Sequence, residues 1–410
     1  MIPAALAIVD GVDAALSAGL ARLLPAQKAA LGELAGSLAH SPLGGAVAAA
    51  ARALEAGDPS PHHLVALAAG RCALMGAVHD ALLAEAGLPL SPAVERPAPA
   101  IPAEQRARLD GLQQWLAEVA LAGFSQLDVG MLAPVLPTVT TIQGLPGLAR
   151  LAAGLTGFVH ELLDHAPTSA LPTVPARRWA DLWSRALLGT VTLPEEPVST
   201  PTSGLLQVLG ADVRHHDHLV SVVIHGVLEA EGQRRFVRCP FHGWKVDAIA
   251  GAAAWNVVRH QSPELFKALA TPAALSVAGL LSGTGAFTVE KVASSSAFDP
   301  FAVDLSGVAY CPGAPRDRHP LQIAIPARDA GEVDLSWSSP MLDFSANLKG
   351  AKSIIGLRRW DDGWRFSPVA LRNGKGAFVG AADVLAAAEK AGDANAILQD
   401  KAKKLLREKS

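Results

Sequence analysis

The stretch TVTLPEEPVSTPTSG, residues 190–204, marks the point where the character of this 410-residue chain changes. Before it, apolar residues recur every three or four positions, which is the period of amphipathic helices. After it, short runs rich in β-branched and aromatic residues predominate, which is typical of strands. The stretch itself is predicted to be a loop. The sequence therefore predicts an α+β protein, with an N-terminal all-α domain followed by a mainly β domain.

The predicted α-helical domain covers residues 1–195. One of its clearest helices begins at Ser60 and Pro61, since serine suits the N-cap and proline the first helical turn, and it ends at Gly87. A proline-rich connector, residues 88–105, separates this helix from the next. Helical patterns resume after this connector, so the domain is predicted to be a helical assembly.

The predicted β-rich domain covers residues 196–380, and its predicted strands include EVDLSWSS, residues 332–339. Its clearest element is SIIGLRRWDDGWRFSPVALR, residues 353–372, in which two alternating runs meet at Asp362-Gly363. An Asp-Gly pair between such runs predicts a β-hairpin. A helical interlude is expected at roughly residues 261–283, and residues 381–410 are predicted to form a C-terminal helix.

The amino-acid composition excludes several classes of protein. Half of the residues are apolar, 18% are charged and the net charge is −3, so the chain can bury large cores and has no basic stripe of the kind that binds nucleic acid. Three scattered cysteines fit a reducing compartment, and the N-terminus lacks the basic region of a secretory signal. We therefore expect a cytoplasmic protein with no membrane span, for which a nucleic-acid partner is unlikely on composition.

The segment RFVRCPFHGWKVDAIAG, residues 235–251, contains Cys-Pro-Phe-His-Gly-Trp and resembles the second half of a Rieske iron–sulfur motif. A Rieske centre needs two cysteines on one iron and two histidines on the other. Where the family has its first Cys-x-His pair, this chain has His216-Asp217-His218. The resemblance therefore covers about thirty residues and departs from the family in a cysteine ligand.

The same residues offer a zinc site, because zinc accepts both imidazole and thiolate. The candidate ligands are His216, His218, Cys239 and His242. On a straight strand Cys239 and His242 face opposite sides, so a shared ion requires a turn at Pro240 to Gly243. No cofactor is the primary expectation, and zinc or a [2Fe–2S] cluster in a redox or metal-binding protein is the alternative.

Four tryptophans are candidate partner-binding residues. Trp179 and Trp183 are four positions apart, on one face of a predicted helix, where they suit either a core or an interface. Trp360 and Trp364 flank the Asp-Gly turn among arginines, and Trp and Arg are frequent interface anchors.

Sequence signatures of catalysis are missing: the chain has no phosphate-binding loop, no complete dinucleotide fingerprint and no Gly-x-Ser-x-Gly elbow. The sequence thus favours a protein without enzymatic activity and leaves a dispersed active site open.

A wider resemblance covers residues 100–260. It rests on LDGLQQWLAEVALAGFSQLDVGMLAPVLPTVTTIQGLPGLARLAAGL, on RRWADLWSRALL, and on GADVRHHDHLVSVVIHGVLE followed by WKVDAIAG. These segments resemble bacterial proteins associated with MoxR-type AAA+ ATPases and von Willebrand factor A proteins, including relatives of SWIM zinc-finger proteins. The SWIM pattern, Cys-x-Cys followed by Cys-x-His, is absent here. The resemblance implies a bacterial, non-catalytic adaptor or scaffold in an ATPase-linked assembly.

Overall fold

The computed structural model describes residues 1–90, 101–145, 147–192, 198–215, 219–246, 249–313, 318–339 and 341–391. Within these ranges the chain forms two compact units. The helical unit takes the described residues of 1–85, 95–196 and 315–320, and the β-rich unit takes those of 86–94, 197–314 and 321–410. The predicted fold class, N-terminal helices followed by a mainly β region and a C-terminal helix, is confirmed.

Helices in the first unit follow the predicted apolar periodicity. They are α1 (Ile2–Ala18), α2 (Pro25–Ser37), α3 (Gly44–Glu55), α4 (Pro61–Glu85), α5 (Ala103–Ala122), α6 (Val129–Leu132), α7 (Leu136–Gln143), α8 (Ala149–His165) and α9 (Ala176–Val191). Helix α4 is the one described helix long and apolar enough to cross a bilayer, and 61% of its most apolar window is buried inside the fold.

A buried ion pair joins α1 to α4 inside this unit. The Arg71 guanidinium donates two hydrogen bonds to the Asp13 carboxylate, at 2.6 and 2.8 Å. Asp181 on α9 places Oδ1 3.6 Å from both Arg71 Nη1 and His319 Nε2. Arg185 Nε donates to the other Asp181 oxygen at 2.9 Å. Since buried charges are costly unless paired, this cluster ties the helices together only as long as each member keeps its partner.

The β-rich unit begins with a five-stranded antiparallel sheet and one helix. Its members are β1 (Ser199–His215), β2 (Leu219–Ala230), β3 (Gln233–Trp244), α10 (Pro263–Ala270), β4 (Ala273–Ser282) and β5 (Phe287–Ala297), and the strand order is β3-β2-β1-β4-β5. Strand β1 is shared between two neighbours: residues 199–207 pair with β4, and residues 205–215 pair with β2. A bulge between Val208 and Gly210 bends the strand between these two pairings.

This sheet curls until its outer strands meet. Arg238 in β3 forms a parallel bridge with Ala286, next to the start of β5, and its N–H donates to the Gly285 carbonyl at 2.9 Å. A five-stranded sheet with a shared first strand, a helix between β3 and β4, and a parallel contact between β3 and β5 has the connectivity of an OB-fold barrel. Alternate residues of β2 and β3 therefore face the barrel interior, and the others face outward.

A second, four-stranded antiparallel sheet follows, in the order β6-β7-β8-β9. Two further helices in the described part of this unit are one of 4 residues, before the second strand of this sheet, and one of 10 residues, after its last strand. These elements are β6 (Ala324–Arg328), β7 (Ser353–Trp360), β8 (Trp364–Arg372), β9 (Phe378–Val379), α11 (Ser345–Leu348) and α12 (Ala382–Ala391). The predicted hairpin is confirmed: β7 pairs with β8 across a turn in which Asp362 has a φ of 52°.

Three sequence predictions in this unit are wrong. The helical interlude is only Pro263–Ala270, because residues 273–282 form β4, whose backbone is paired on both sides by β1 and β5. Residues 199–204, predicted as loop, already belong to β1. The run EVDLSWSS, residues 332–339, forms turns with one isolated bridge rather than a strand. In the first two cases the pairing of β1 with β4, which are distant in sequence, overrides local propensity.

Candidate partner-binding surface

The Rieske-like hexapeptide forms the second half of β3. Strand β3 pairs with β2 in unbroken register from Leu219 opposite Trp244 to Ala230 opposite Gln233. No bulge interrupts this pairing, so the side chains of β3 alternate strictly between the two faces of the sheet. Cys239 belongs to the inward set, whereas His242 is exposed on the outward set.

Cys239 is 1% exposed in the barrel core, and burial raises the pKa of its thiol to about 12. A thiol in that state is not a ready metal ligand, since metals bind the thiolate. Cys239 and His242 therefore do not converge on one ion. The predicted four-residue metal site is wrong in bringing these two side chains together. The other two members, His216 and His218, lie outside the described residues. Across the described ranges no group of three or more His, Cys, Asp or Glu side chains clusters in a way that could hold a metal ion.

The tryptophan pair of α9 lies in the core of the helical unit. Trp179 is 0% and Trp183 is 1% exposed. The indole N–H of Trp179 donates to Glu161 Oε1 at 2.9 Å, and that of Trp183 donates to the Leu116 carbonyl at 2.8 Å. The prediction that this pair binds a partner is wrong, because both rings and both N–H groups are already used within the unit.

Trp360 and Trp364 flank the hairpin turn as predicted. Both are half-buried, and their rings meet edge to face with centroids 5.7 Å apart. The Arg358 guanidinium lies 4.4 Å from the centroid of the Trp364 ring. The hairpin thus carries the expected aromatic and cationic side chains on one tip, and its partner-binding role stays a prediction.

The most exposed tryptophan among the described residues is Trp244, at 82%. It projects from the outward side of β3 together with Pro240 and His242, which are also exposed. Across the register these three lie opposite Leu219, Ser221 and Val223 of β2. We call these six residues the open face.

Two contacts fix the backbone of the open face. The Gln261 side-chain amide donates to the His242 carbonyl at 3.0 Å. Gly243 lies so close to Val257 that an added Cβ would stand 2.4 Å from a valine methyl carbon, so only glycine fits. An exposed aromatic ring is therefore held on a rigid strand rather than on a loop, and little order must be gained when a partner binds.

Charged side chains border the open face on β1. Arg214 is exposed, and its Nε lies 3.9 Å from Asp212 Oδ2. The same carboxylate oxygen accepts a 2.6 Å hydrogen bond from Arg359 on β7. An apolar centre with a charged rim is the usual composition of a protein interface.

Trp244 is not among the site residues that the sequence predicts. The signal was available in the period-2 spacing of Pro240, His242 and Trp244 within a strand-like run. In comparisons with known proteins, no family model, curated protein or solved structure matches the chain.

Proposed function

We propose that the chain is a non-catalytic adaptor that binds a partner protein through the open face. The observation that carries this proposal is the 82% exposure of Trp244 on a strand whose backbone is held by Gln261 and Val257. A large aromatic ring left in water on a rigid element is unfavourable for the isolated protein and suits a binding anchor.

The partner class comes from the resemblance described above: a MoxR-type AAA+ ATPase or a von Willebrand factor A protein in a bacterial cytoplasm. The apolar residues Leu219, Val223 and Pro240 around Trp244 support a protein partner, since interface cores are depleted of charge. The half-buried Trp360–Trp364 tip supports a second contact on the same adaptor.

The test uses the purified full-length chain with a purified MoxR-type ATPase, and separately a von Willebrand factor A protein, from the same genome. Calorimetry is run on the wild type, on Trp244→Ala, and on Leu24→Ala, a matched control that removes another exposed apolar side chain, 61% exposed, from the helical unit. We expect Trp244→Ala to weaken binding at least about tenfold, as a central aromatic anchor does. Leu24→Ala is expected to bind like the wild type.

Two outcomes contradict the proposal. One is equal affinity of the wild type and Trp244→Ala. The other is binding of an oligothymidine single strand in place of either protein, since an OB-like barrel with an exposed tryptophan beside Arg214 is also a known arrangement for stacking bases.

The alternative of a redox or metal-binding protein has its own test. Anaerobically purified protein is measured by visible absorption and elemental analysis. Bands between about 400 and 600 nm with about two irons per chain would establish a [2Fe–2S] protein, and about one zinc per chain a structural zinc site. Either result requires ligands other than the Cys239 and His242 pair acting together.

A further inference from the structure

The outward side of β2 and β3 continues beyond the open face into a second region that the rest of the unit covers. There His225 of β2 stacks on Phe236 of β3, with ring centroids 5.6 Å apart and planes 4° apart. Phe236 in turn stacks on Tyr310 at 6.4 Å. All three rings are buried. We call these residues, with the arginines described next, the covered cluster.

The imidazole of His225 is incompletely satisfied. It is 2% exposed, and neither Nδ1 nor Nε2 has a hydrogen-bond partner among the described residues. Arg359 is 5% exposed, and its Nε likewise has none. Leaving buried polar atoms unpaired is costly, and a bound water or ion is one of the explanations for such atoms in native proteins.

Positive charge is in excess around this imidazole. Arg238 lies directly opposite His225 in the strand register, and its Nη2 donates to the Thr284 carbonyl at 2.7 Å. Arg359 and Arg214 share one carboxylate, Asp212, at 2.6 and 3.9 Å. The described part of the cluster thus contains three guanidinium groups that act on His225 and one carboxylate, which two of them share.

The pKa values of His225 and Arg359 are consistent with this excess of positive charge. Burial first, and then the charges of Arg359, Arg238 and Arg214, hold the pKa of His225 well below its usual range. Burial also lowers the pKa of Arg359 below its ordinary value, although Asp212 opposes this. An added negative charge would favour the cationic forms of both groups.

We propose that the covered cluster binds a small oxyanion, a phosphate or sulfate group, between Arg238, Arg359 and His225. Guanidinium groups bind such anions through paired N–H donors, and an imidazole N–H supplies one more. The exposed Arg214 and the half-buried Arg238 connect the cluster to solvent at the edge of the open face. This site is separate from the adaptor function and does not depend on it.

The experiment follows the histidine imidazole signals of full-length, ¹⁵N-histidine-labelled protein during titration with sodium sulfate, with ionic strength held constant by chloride. Sulfate is the probe because it stays fully ionised, so any pH dependence belongs to the protein. We expect a saturable shift of one imidazole, assigned to His225 by its loss in His225→Gln. Calorimetry with phosphate and with acetate then separates a phosphate-type ligand from a carboxylate.

Two arginines of β3 provide the matched comparison. Arg238→Gln is expected to weaken sulfate binding at least about tenfold. Arg235→Gln removes the same charge from a residue of opposite strand parity and is expected to change it less than about twofold. Calorimetry on these two variants tests the site even where His225→Gln does not fold.

A pH series adds a second readout. The charged and titratable groups around His225 are Asp212 and Arg214 from β1, Arg238 from β3, Arg359 from β7, and Tyr310 and Cys311 from the segment before β6. Protonation of the His225 imidazole as pH falls would add a positive charge to the site, so sulfate affinity is expected to rise on acidification. No saturable shift with either sulfate or phosphate, or equal weakening in Arg238→Gln and Arg235→Gln, would overturn the proposal.

Discussion

Two stretches that contain arginine and tryptophan place their tryptophans in opposite environments. RRWADLWSRALL, residues 177–188, buries Trp179 and Trp183 in the helical core, whereas RFVRCPFHGW, residues 235–244, leaves Trp244 82% exposed. The difference lies in the period of the element. A helix brings positions 179, 183 and 187 to one apolar face, whereas a strand places Trp244 with Pro240 and His242, away from the inward Cys239 and Phe241. Residue type alone therefore does not identify a binding tryptophan.

The largest expected effect tests the buried side of this comparison. Trp183→Ala removes a fully buried indole and its hydrogen bond to Leu116, and we expect a loss of about 3–5 kcal/mol in the free energy of unfolding. Urea unfolding of the full-length protein, followed by far-ultraviolet circular dichroism, measures it. A loss below about 1 kcal/mol would show that the α9 pair is not core.

A second prediction concerns the charges packed beside that pair. Arg71→Met leaves the buried Asp13 carboxylate without its main partner, and we expect a loss of about 3 kcal/mol. Burial already raises the pKa of Asp13 in the intact protein, although Arg71 opposes this. The double variant Asp13→Asn with Arg71→Met should recover part of the loss. No recovery would mean that Arg71 acts through packing rather than through the ion pair.

The pH dependence of the helical unit provides a third test. Burial lowers the pKa of His319 to about 4 although Asp181 opposes this, compared with 6.5 for an unperturbed histidine. The folded state therefore binds fewer protons, so this contribution to stability is complete above pH 6.5 and is lost as pH falls toward 4. Between about pH 7 and pH 4 the wild type is expected to lose up to about 3 kcal/mol that His319→Gln does not lose. Identical pH profiles would contradict the assignment.

The smallest expected effect on stability is at the exposed tryptophan. Trp244→Ala is expected to change the free energy of unfolding by less than about 0.5 kcal/mol, because the exposed ring buries little of its surface in the folded protein. The same urea experiment measures this, with Trp183→Ala as its counterpart. A loss comparable to that of Trp183→Ala would place Trp244 inside the structure.

Local signals predicted the helices and the Asp362-Gly363 hairpin well, because both depend on nearby residues. The barrel was harder to predict, since the partners in the β1–β4 pairing are between 67 and 83 residues apart, and no local pattern contains that information. Gly210 is an example. A Cβ at position 210 would lie 2.4 Å from the carbonyl oxygen of Val369, so glycine is required there by a residue that is distant in sequence.

The candidate site also combines features that nearby residues determine with features that depend on distant parts of the chain. The alternation that separates Cys239 from His242 could be anticipated from the strand pattern, and the structure bears it out. The cover over His225, which separates the covered cluster from the open face, comes from Tyr310 and from strands that follow much later in the chain. Spacing alone does not decide which tryptophans are buried, because a pair at i and i+4 is usual in a core and also occurs at interfaces.

The central claim is that Trp244 is a solvent-exposed anchor for a protein partner. The most direct measurement is ¹⁹F NMR of protein labelled with 5-fluorotryptophan, with resonances assigned through Trp244→Phe and Trp183→Phe, before and after addition of a MoxR-type ATPase. We predict that the Trp244 signal shows a solvent isotope shift between H₂O and D₂O and moves or broadens with the partner, while the Trp183 signal does neither. A Trp244 signal insensitive to both solvent and partner would contradict the account.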